Sequence, residues 1–119
     1  MCIRDSSEPS EAIFEGNYFN LFETSKLNHL PHYGKISKEC GKVSFDAILK
    51  SIELAKQGLV SGIVTAPISK KALSLAHIDF PGHTEILAGY SNNKAVSMML
   101  LNKYIKTVLV TLHLSLIHI

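Results

Sequence analysis

Hydrophobic and polar residues alternate with helical spacing over residues 44–57. The apolar side chains in this segment recur every three or four positions, at Phe45, Ile48, Leu49, Ile52 and Ala55. That spacing places them on one face of an α-helix. Ser44 is a preferred residue at a helix start, and Gly58 is suited to end a helix in a left-handed conformation. The pattern therefore predicts an amphipathic helix over 44–57.

The segment after this helix, residues 59–65, is nearly continuous in apolar residues. Such a run predicts a short strand that is buried on both faces. A helix joined to a strand through one glycine is a common connection in α/β proteins. A short helix is predicted next, over 69–76, because Pro67 can help to start it and apolar residues recur on one side.

A turn at Pro81-Gly82 separates this short helix from a third one. Thr84 is predicted to cap the third helix, which runs to about Tyr90 with Glu85 in its first turn. Asparagine residues then interrupt the helical pattern.

Two strands are predicted near the end of the chain, over 95–101 and 104–113. Asn102 and Lys103 between them favour a tight hairpin, so the strands are expected to be antiparallel.

Upstream, residues 26–42 form a connector, and 12–22 contain either a short strand or a turn of helix. The predicted fold class is therefore α/β, with a mixed sheet that includes an antiparallel hairpin near the C-terminus.

The composition favours a globular domain and argues against nucleic-acid-binding and membrane-spanning proteins. The chain has 119 residues, of which 46% are hydrophobic and 18% charged, so a packed core in one domain or part of one is expected. The net charge of +2 is spread without a basic block, which argues against nucleic acid as a partner. The longest apolar run, 107–112, is too short to cross a membrane. With two cysteines in no ligand-like spacing, Cys2 and Cys40, we expect free thiols in a cytoplasmic protein.

Both ends of the chain are unusual. Residues 1–6 and 115–119 resemble translated sequencing-adapter tails. We therefore expect residues 7–114 to be the evolved sequence, one partial α/β domain from the interior of a longer protein.

Candidate chemistry lies in two polar turns, 65–70 and 81–85, on either side of the short helix. Ligands of α/β proteins bind where parallel strands end, so such turns are candidate binding elements. His83 can donate to a phosphate or act as a base, and Thr84 can help to form an anion site at a helix start. Lys70 offers a positive charge. The same pattern also fits a Thr84 that only caps its helix and a His83 that only occupies the turn.

Three further histidines were considered as metal ligands. His113 ends the last predicted strand, where either a partly buried side chain or a ligand is typical. A single histidine cannot hold a divalent metal, so its partners would have to come from outside this chain. His29 and His32 are three residues apart, but Pro31 between them disfavours the helix that would align them.

Four segments carry a resemblance to a known family. They are Gly41-Lys42, the run Ile-Val-Thr-Ala-Pro-Ile-Ser-Lys at 63–70, Pro-Gly-His-Thr-Glu at 81–85, and Val-Thr-Leu-His-Leu at 110–114. In order and spacing, over about residues 34–114, they resemble the 4-hydroxythreonine-4-phosphate dehydrogenase family of vitamin B6 biosynthesis.

The resemblance implies a two-domain α/β/α enzyme, related in fold to isocitrate and isopropylmalate dehydrogenases and working as a homodimer. Such enzymes use NAD and a divalent metal cation, which can be zinc, magnesium or cobalt. They oxidise the secondary alcohol of 4-phosphohydroxy-L-threonine, and the resulting β-keto acid loses carbon dioxide.

The resemblance also implies roles for individual residues. His83 and Thr84 would bind the substrate, His113 would be one of three histidine metal ligands, and Lys70 is a candidate phosphate contact. No catalytic residue is assigned, and the nucleotide site and the other metal ligands are expected outside this chain. We further expect His83 and His113 to approach the same cleft.

Two other functions remain open on the sequence. One is a related enzyme that acts on 4-phosphothreonate or 4-phosphoerythronate, because the matching segments would look much the same. The other is a non-enzymatic module that binds a phosphorylated ligand or a protein partner.

Overall fold

The fold was analysed in a computed structural model that describes residues 2–6, 8–29, 31–92 and 96–110. In chain order the regular elements are β1 (Cys2–Ser6), a 3-10 turn (Pro9–Glu11), β2 (Tyr18–Phe22), α1 (Lys38–Lys56), α2 (Lys70–Leu75), α3 (His83–Tyr90), β3 (Met99–Leu101) and β4 (Lys106–Val108). Strands β1 and β2 are parallel, and β3 and β4 are antiparallel. The α/β class is therefore confirmed.

The first strand includes residues that the sequence analysis set aside as a tail. Within β1, Ile3 pairs with Phe19 of β2 and Asp5 pairs with Leu21. For residues 12–22 the sequence allowed either a short strand or a turn of helix. The structure shows that the second half of this segment is a strand, β2.

Helix α1 starts at Lys38, well before the predicted start at Ser44. Its cap is Ser37, whose side chain accepts a hydrogen bond of 3.1 Å from the Cys40 N–H. Ser44 lies inside the helix, where its hydroxyl donates to the Cys40 carbonyl. The prediction was wrong here because residues 38–43 are mostly polar and include Gly41, so they carry no apolar periodicity.

The core lies where the three helices meet. Its buried members are Ile48 and Ile52 of α1, Leu73 of α2 and Ile86 of α3. Phe45 and Leu49, predicted on the same face of α1, pack against this cluster. The predicted apolar face is therefore confirmed.

The ends of the helices depend on local residues. Gly58 follows α1 with φ of +73°, as predicted for a left-handed helix end. Helix α2 is capped by Ser69, which accepts from the Ala72 N–H, close to the prediction of 69–76. Helix α3 begins at His83 with Gly82 in the cap position. Thr84 is therefore the second helical residue and not the cap, because the chain enters the helix earlier than predicted.

The predicted strand over 59–65 is not present. The described chain has no strand there, Leu59 is half exposed and Val64 is fully exposed. A strand is defined by hydrogen bonds to a neighbour, and the strand pairs within the described residues are β1–β2 and β3–β4.

The antiparallel hairpin is confirmed, with shorter strands than predicted. Met99 pairs with Val108 and Leu101 pairs with Lys106. The connection spans 102–105, because the Asn102 side chain accepts from the N–H groups of Tyr104 and Ile105. Residues 95 and 111–113 of the predicted strands lie outside the described residues. Among the described helices, none has the length and apolar character needed to cross a membrane.

Candidate functional site

A cavity of about 370 Å³ lies between α1 and the segment that leads into α2. One wall is a single face of α1, and the other is the segment 63–68. His83, the first residue of α3, completes the lining. The structure thus brings the first predicted turn and His83 of the second turn to the same cavity.

His83 has a feature that ordinary packing does not explain. Its Nε2 atom is buried and has no hydrogen-bond partner among the described residues. Leaving a buried polar atom unpaired costs about 1–3 kcal/mol. A ligand group that hydrogen-bonds to Nε2 would recover this energy, so His83 is suited to bind a polar ligand.

The start of α3 adds two backbone donors beside this imidazole. The first backbone bond across the helix start runs from the Ile86 N–H to the Gly82 carbonyl, at 3.2 Å. The N–H groups of His83 and Thr84 precede it, so the helix does not use them. Gly82 offers no side-chain oxygen to occupy these donors. Together with the helix dipole, these donors favour the binding of an anion. The Glu85 carboxylate in the first turn of α3 has the opposite effect, because it repels an anion.

Lys70 is not brought into this cavity. It is the first residue of α2, its side chain is exposed, and it does not line the cavity that contains His83. The described lining of the cavity contains no Asp, Glu, Lys or Arg side chain. A charged ligand group would therefore need an oppositely charged partner from outside this lining.

The metal prediction is not tested by this structure. His113 lies outside the described residues, so its approach to His83 stays a prediction. His29 and His32 are exposed in the connector. Among residues 2–6, 8–29, 31–92 and 96–110, no group of three or more His, Cys, Asp or Glu side chains could hold a metal ion. The described residues therefore do not form a metal site by themselves.

The sequence did not indicate a cavity role for two polar residues of α1 that line it, Ser44 and Ser51. Their hydroxyls donate to the carbonyls of Cys40 and Ala47, at 2.8 Å each, so each oxygen remains available as an acceptor. Their spacing of seven puts them on one helix face, but only the packing of 63–68 against that face shows that it borders a cavity.

Comparisons with known proteins show which family this chain belongs to. The profile of the family described as "Pyridoxal phosphate biosynthetic protein PdxA" matches residues 3–119, which include part of the first predicted tail and all of the second. The 4-hydroxythreonine-4-phosphate dehydrogenase of Beijerinckia indica is 48% identical over 114 residues, covering 96% of this chain and 34% of the relative. The D-threonate 4-phosphate dehydrogenase of Cupriavidus necator is 31% identical over 115 residues, covering 97% and 34%.

A solved structure is also similar. The 4-hydroxythreonine-4-phosphate dehydrogenase of Klebsiella pneumoniae superposes with a TM-score of 0.87 at 34% identity, over 98% of this chain and 36% of that one. The chain thus spans about a third of the length of the relatives it matches. The fold and the site together define an α/β domain with a mainly apolar pocket that reaches a helix start and carries a few polar groups, His83 among them. The chain belongs to the PdxA family.

Proposed function

We propose that the full-length protein carrying this chain is an NAD-dependent 4-hydroxythreonine-4-phosphate dehydrogenase of pyridoxal phosphate biosynthesis. The family match and the 48% identity to the Beijerinckia indica enzyme support this activity. The described α/β elements would belong to a three-layer α/β/α domain of the isocitrate and isopropylmalate dehydrogenase type. A homodimer in the cytoplasm is part of the same proposal.

The reaction is a two-electron oxidation. The secondary alcohol would be oxidised to a ketone, for which bound NAD would be the hydride acceptor, and the hydroxyl proton would pass to a base. The product would be a β-keto acid, which loses carbon dioxide; the electron pair of the broken carbon–carbon bond is held by the ketone as an enolate, which then takes up a proton at carbon. The nicotinamide supplies the redox chemistry, and the protein supplies binding and orientation.

The observation that supports the proposal is the buried Nε2 of His83, which has no hydrogen-bond partner among the described residues, in a residue that lines the cavity. His83 would hydrogen-bond to the substrate at this atom. Thr84 would add its hydroxyl and its unused N–H, which suit an oxygen of the phosphate. Lys70, exposed at the start of α2, is a candidate phosphate contact only if the ligand extends beyond the cavity.

The proposed metal site needs residues outside the described chain. His113 is proposed as one of three histidine ligands, and the others would come from the remainder of the longer protein or from a partner subunit. A divalent cation of zinc, magnesium or cobalt would polarise the alcohol oxygen there.

A second candidate is favoured by the Cupriavidus necator relative, whose name gives D-threonate 4-phosphate as substrate. The two substrates differ at the carbon next to the carboxylate, which bears an amino group in the threonine compound and a hydroxyl group in the threonate. The related erythronate ester belongs to the same alternative. A module that binds phosphorylated ligands without turnover is the candidate of another class.

Kinetics of the full-length protein separate these candidates. NADH formation would be measured with 4-phosphohydroxythreonine and with 4-phosphothreonate, in the presence of each of the three cations. We expect kcat/KM for the amino substrate to be at least about tenfold higher, a difference of about 1.4 kcal/mol. The reverse ratio would establish the threonate enzyme. Saturable substrate binding without NADH formation would establish the binding module.

A further inference from the structure

Three aromatic rings pack together beside the helix that begins with His83. Phe45 of α1 and Phe80, which shortly precedes His83, have ring centroids 6.2 Å apart and an interplanar angle of 25°. The ring of Tyr90, the last residue of α3, lies 5.7 Å from the Phe45 ring and 6.0 Å from the Phe80 ring. Aromatic pairs at such distances attract each other beyond the burial of their surface. We refer to these three rings as the aromatic cluster.

The aromatic cluster attaches both ends of α3 to α1. Phe80 comes just before the turn that leads into α3, whereas Tyr90 ends this helix. The Phe80 ring also lies against the far end of α3, because a Cβ atom on Gly89 would be 3.5 Å from it. Lys56 of α1 adds a polar contact at that end, where its ammonium donates to the Tyr90 carbonyl at 3.3 Å.

The position of His83 depends on these contacts. Only Pro81 and Gly82 separate its backbone from Phe80, and neither is buried. Phe80 itself packs against the core, so it is the anchored residue of this approach to α3. Among the described residues that line the cavity with His83, none belongs to the aromatic cluster. The cluster would therefore act on a ligand in this cavity through His83.

We propose that Phe80 is a positioning residue, whose packing against Phe45 and Tyr90 holds the His83 imidazole at the cavity. The effect on substrate rests on the proposed function, which assigns substrate binding to His83. The effect on the imidazole holds for any ligand of the cavity. Phe80→Leu removes the ring contacts and keeps an apolar side chain, so it is the variant that tests this role.

NADH kinetics of the full-length protein with 4-phosphohydroxythreonine test the effect on substrate. Phe80→Leu should raise KM for this substrate on the order of tenfold and leave KM for NAD unaltered, because a displaced binding group weakens only the contacts that it makes. Ile52→Val is the control for lost stability, since Ile52 is buried in the core and lines neither the cavity nor the cluster. It should lower the melting temperature by a few degrees and leave both KM values unaltered.

A double variant separates positioning from general damage. If Phe80 acts through His83, Phe80→Leu combined with His83→Leu should have the same kcat/KM as His83→Leu alone. A further loss in the double variant, as large as the loss that Phe80→Leu causes by itself, would overturn the proposal.

Chemical modification tests the position of His83 without substrate. Diethylpyrocarbonate acylates imidazole nitrogens that it can reach, and mass spectrometry of the full-length protein gives the rate at each histidine. The Nε2 atom of His83 is buried, so it should react slowly in the parent and several-fold faster in Phe80→Leu. His77 is exposed and serves as the internal reference, with the same rate in both proteins. Equal rates at His83 in parent and variant would overturn the proposal.

The modification measurement also distinguishes this proposal from the proposed function. A parent protein that forms no NADH would contradict the dehydrogenase activity, whereas faster modification of His83 in Phe80→Leu would still support the positioning role. Tyr90 provides a second pair of variants if Phe80→Leu does not fold, because Tyr90 is exposed. Tyr90→Leu should raise the modification rate of His83, and Tyr90→Phe, which keeps the ring, should not. Equal rates in these two variants would overturn the proposal.

Discussion

Gly41 of α1 lies directly against the backbone of Ala72 of α2. A Cβ atom at position 41 would overlap the carbonyl group of Ala72 and approach the Leu73 nitrogen to 3.0 Å. Gly41 and Ala72 are both buried. This contact allows α1 and α2 to pack without a gap, which seats Leu73 in the core and sets the position of the segment that borders the cavity.

Gly41→Ala should therefore destabilise the protein. In an exposed helix this change would gain about 1 kcal/mol of helix propensity. Here the added methyl group meets backbone atoms that cannot turn aside, so we expect a net loss of about 1–3 kcal/mol in the free energy of unfolding. Urea denaturation measures this loss.

Gly89→Ala in α3 is the matched control. A Cβ at position 89 would contact the Phe80 ring at 3.5 Å, an ordinary van der Waals distance. This variant should be as stable as the parent or up to about 1 kcal/mol more stable. Equal effects of the two substitutions would contradict the close contact between the helices.

Gly82→Ser should separate stability from binding. A serine hydroxyl at the cap position can accept from the first-turn N–H groups of α3, and the added Cβ fits, at 3.4 Å from the Glu85 carboxylate. The helix should gain a few tenths of a kcal/mol. The hydroxyl then occupies donors that we assign to the substrate, so KM of the full-length enzyme should rise.

The readouts for Gly82→Ser are thermal denaturation and NADH kinetics. Gly89→Ala, which lies near the other end of α3 and does not line the cavity, should leave KM unaltered. A Gly82→Ser enzyme with unaltered KM would show that the start of α3 does not bind the substrate.

Stability should depend on pH through Glu53. Its carboxylate accepts a 2.9 Å hydrogen bond from Lys50. This bond and the charge of the Lys50 ammonium lower the pKa of Glu53 below its ordinary value of 4.5. Desolvation opposes them by raising the pKa, and a hydrogen bond from Gln57 lowers it further. A lowered pKa in the folded state stabilises the protein above the unfolded pKa and ceases to do so as pH falls through the folded one.

Glu53→Gln tests this dependence. The parent should be slightly more stable than the variant at neutral pH, and the difference should disappear in acid well below pH 4.5. Because the pair is exposed, added salt should shrink the difference as well. A difference that grows on acidification would contradict the assignment.

The elements that the sequence predicted well have local determinants. Helix α2 has Ser69 as its cap, and the α1 face with Ile48 and Ile52 follows from apolar spacing alone. The elements that it predicted poorly depend on contacts that sequence patterns do not contain. The first turns of α1 follow the Ser37 cap and include Gly41, whose fit against α2 is not visible in an apolar pattern. A strand at 59–65 would need a neighbour that the described residues do not provide.

The candidate site was predictable to a similar degree. The turn at 65–70 and His83 were both singled out, and the structure places residues 65–68 and His83 around one cavity. Lys70, by contrast, begins α2 with an exposed side chain and does not line this cavity. Ser51 lines the cavity because α1 packs against residues 63–68. That contact joins distant parts of the chain, so the sequence pattern does not predict it.

The most direct test of the proposed function is the kcat/KM of the full-length enzyme with 4-phosphohydroxythreonine after His83→Leu. The substitution removes a buried nitrogen that has no partner in the part of the chain that the structure describes, so the melting temperature should not fall. His77→Asn is the control, because His77 is exposed and its φ of +59° suits asparagine. We expect kcat/KM to fall on the order of a hundredfold for His83→Leu, about 2–3 kcal/mol for the lost hydrogen bond to a charged group, and to stay unaltered for His77→Asn. A folded His83→Leu enzyme that keeps the kcat/KM of its parent would contradict the account.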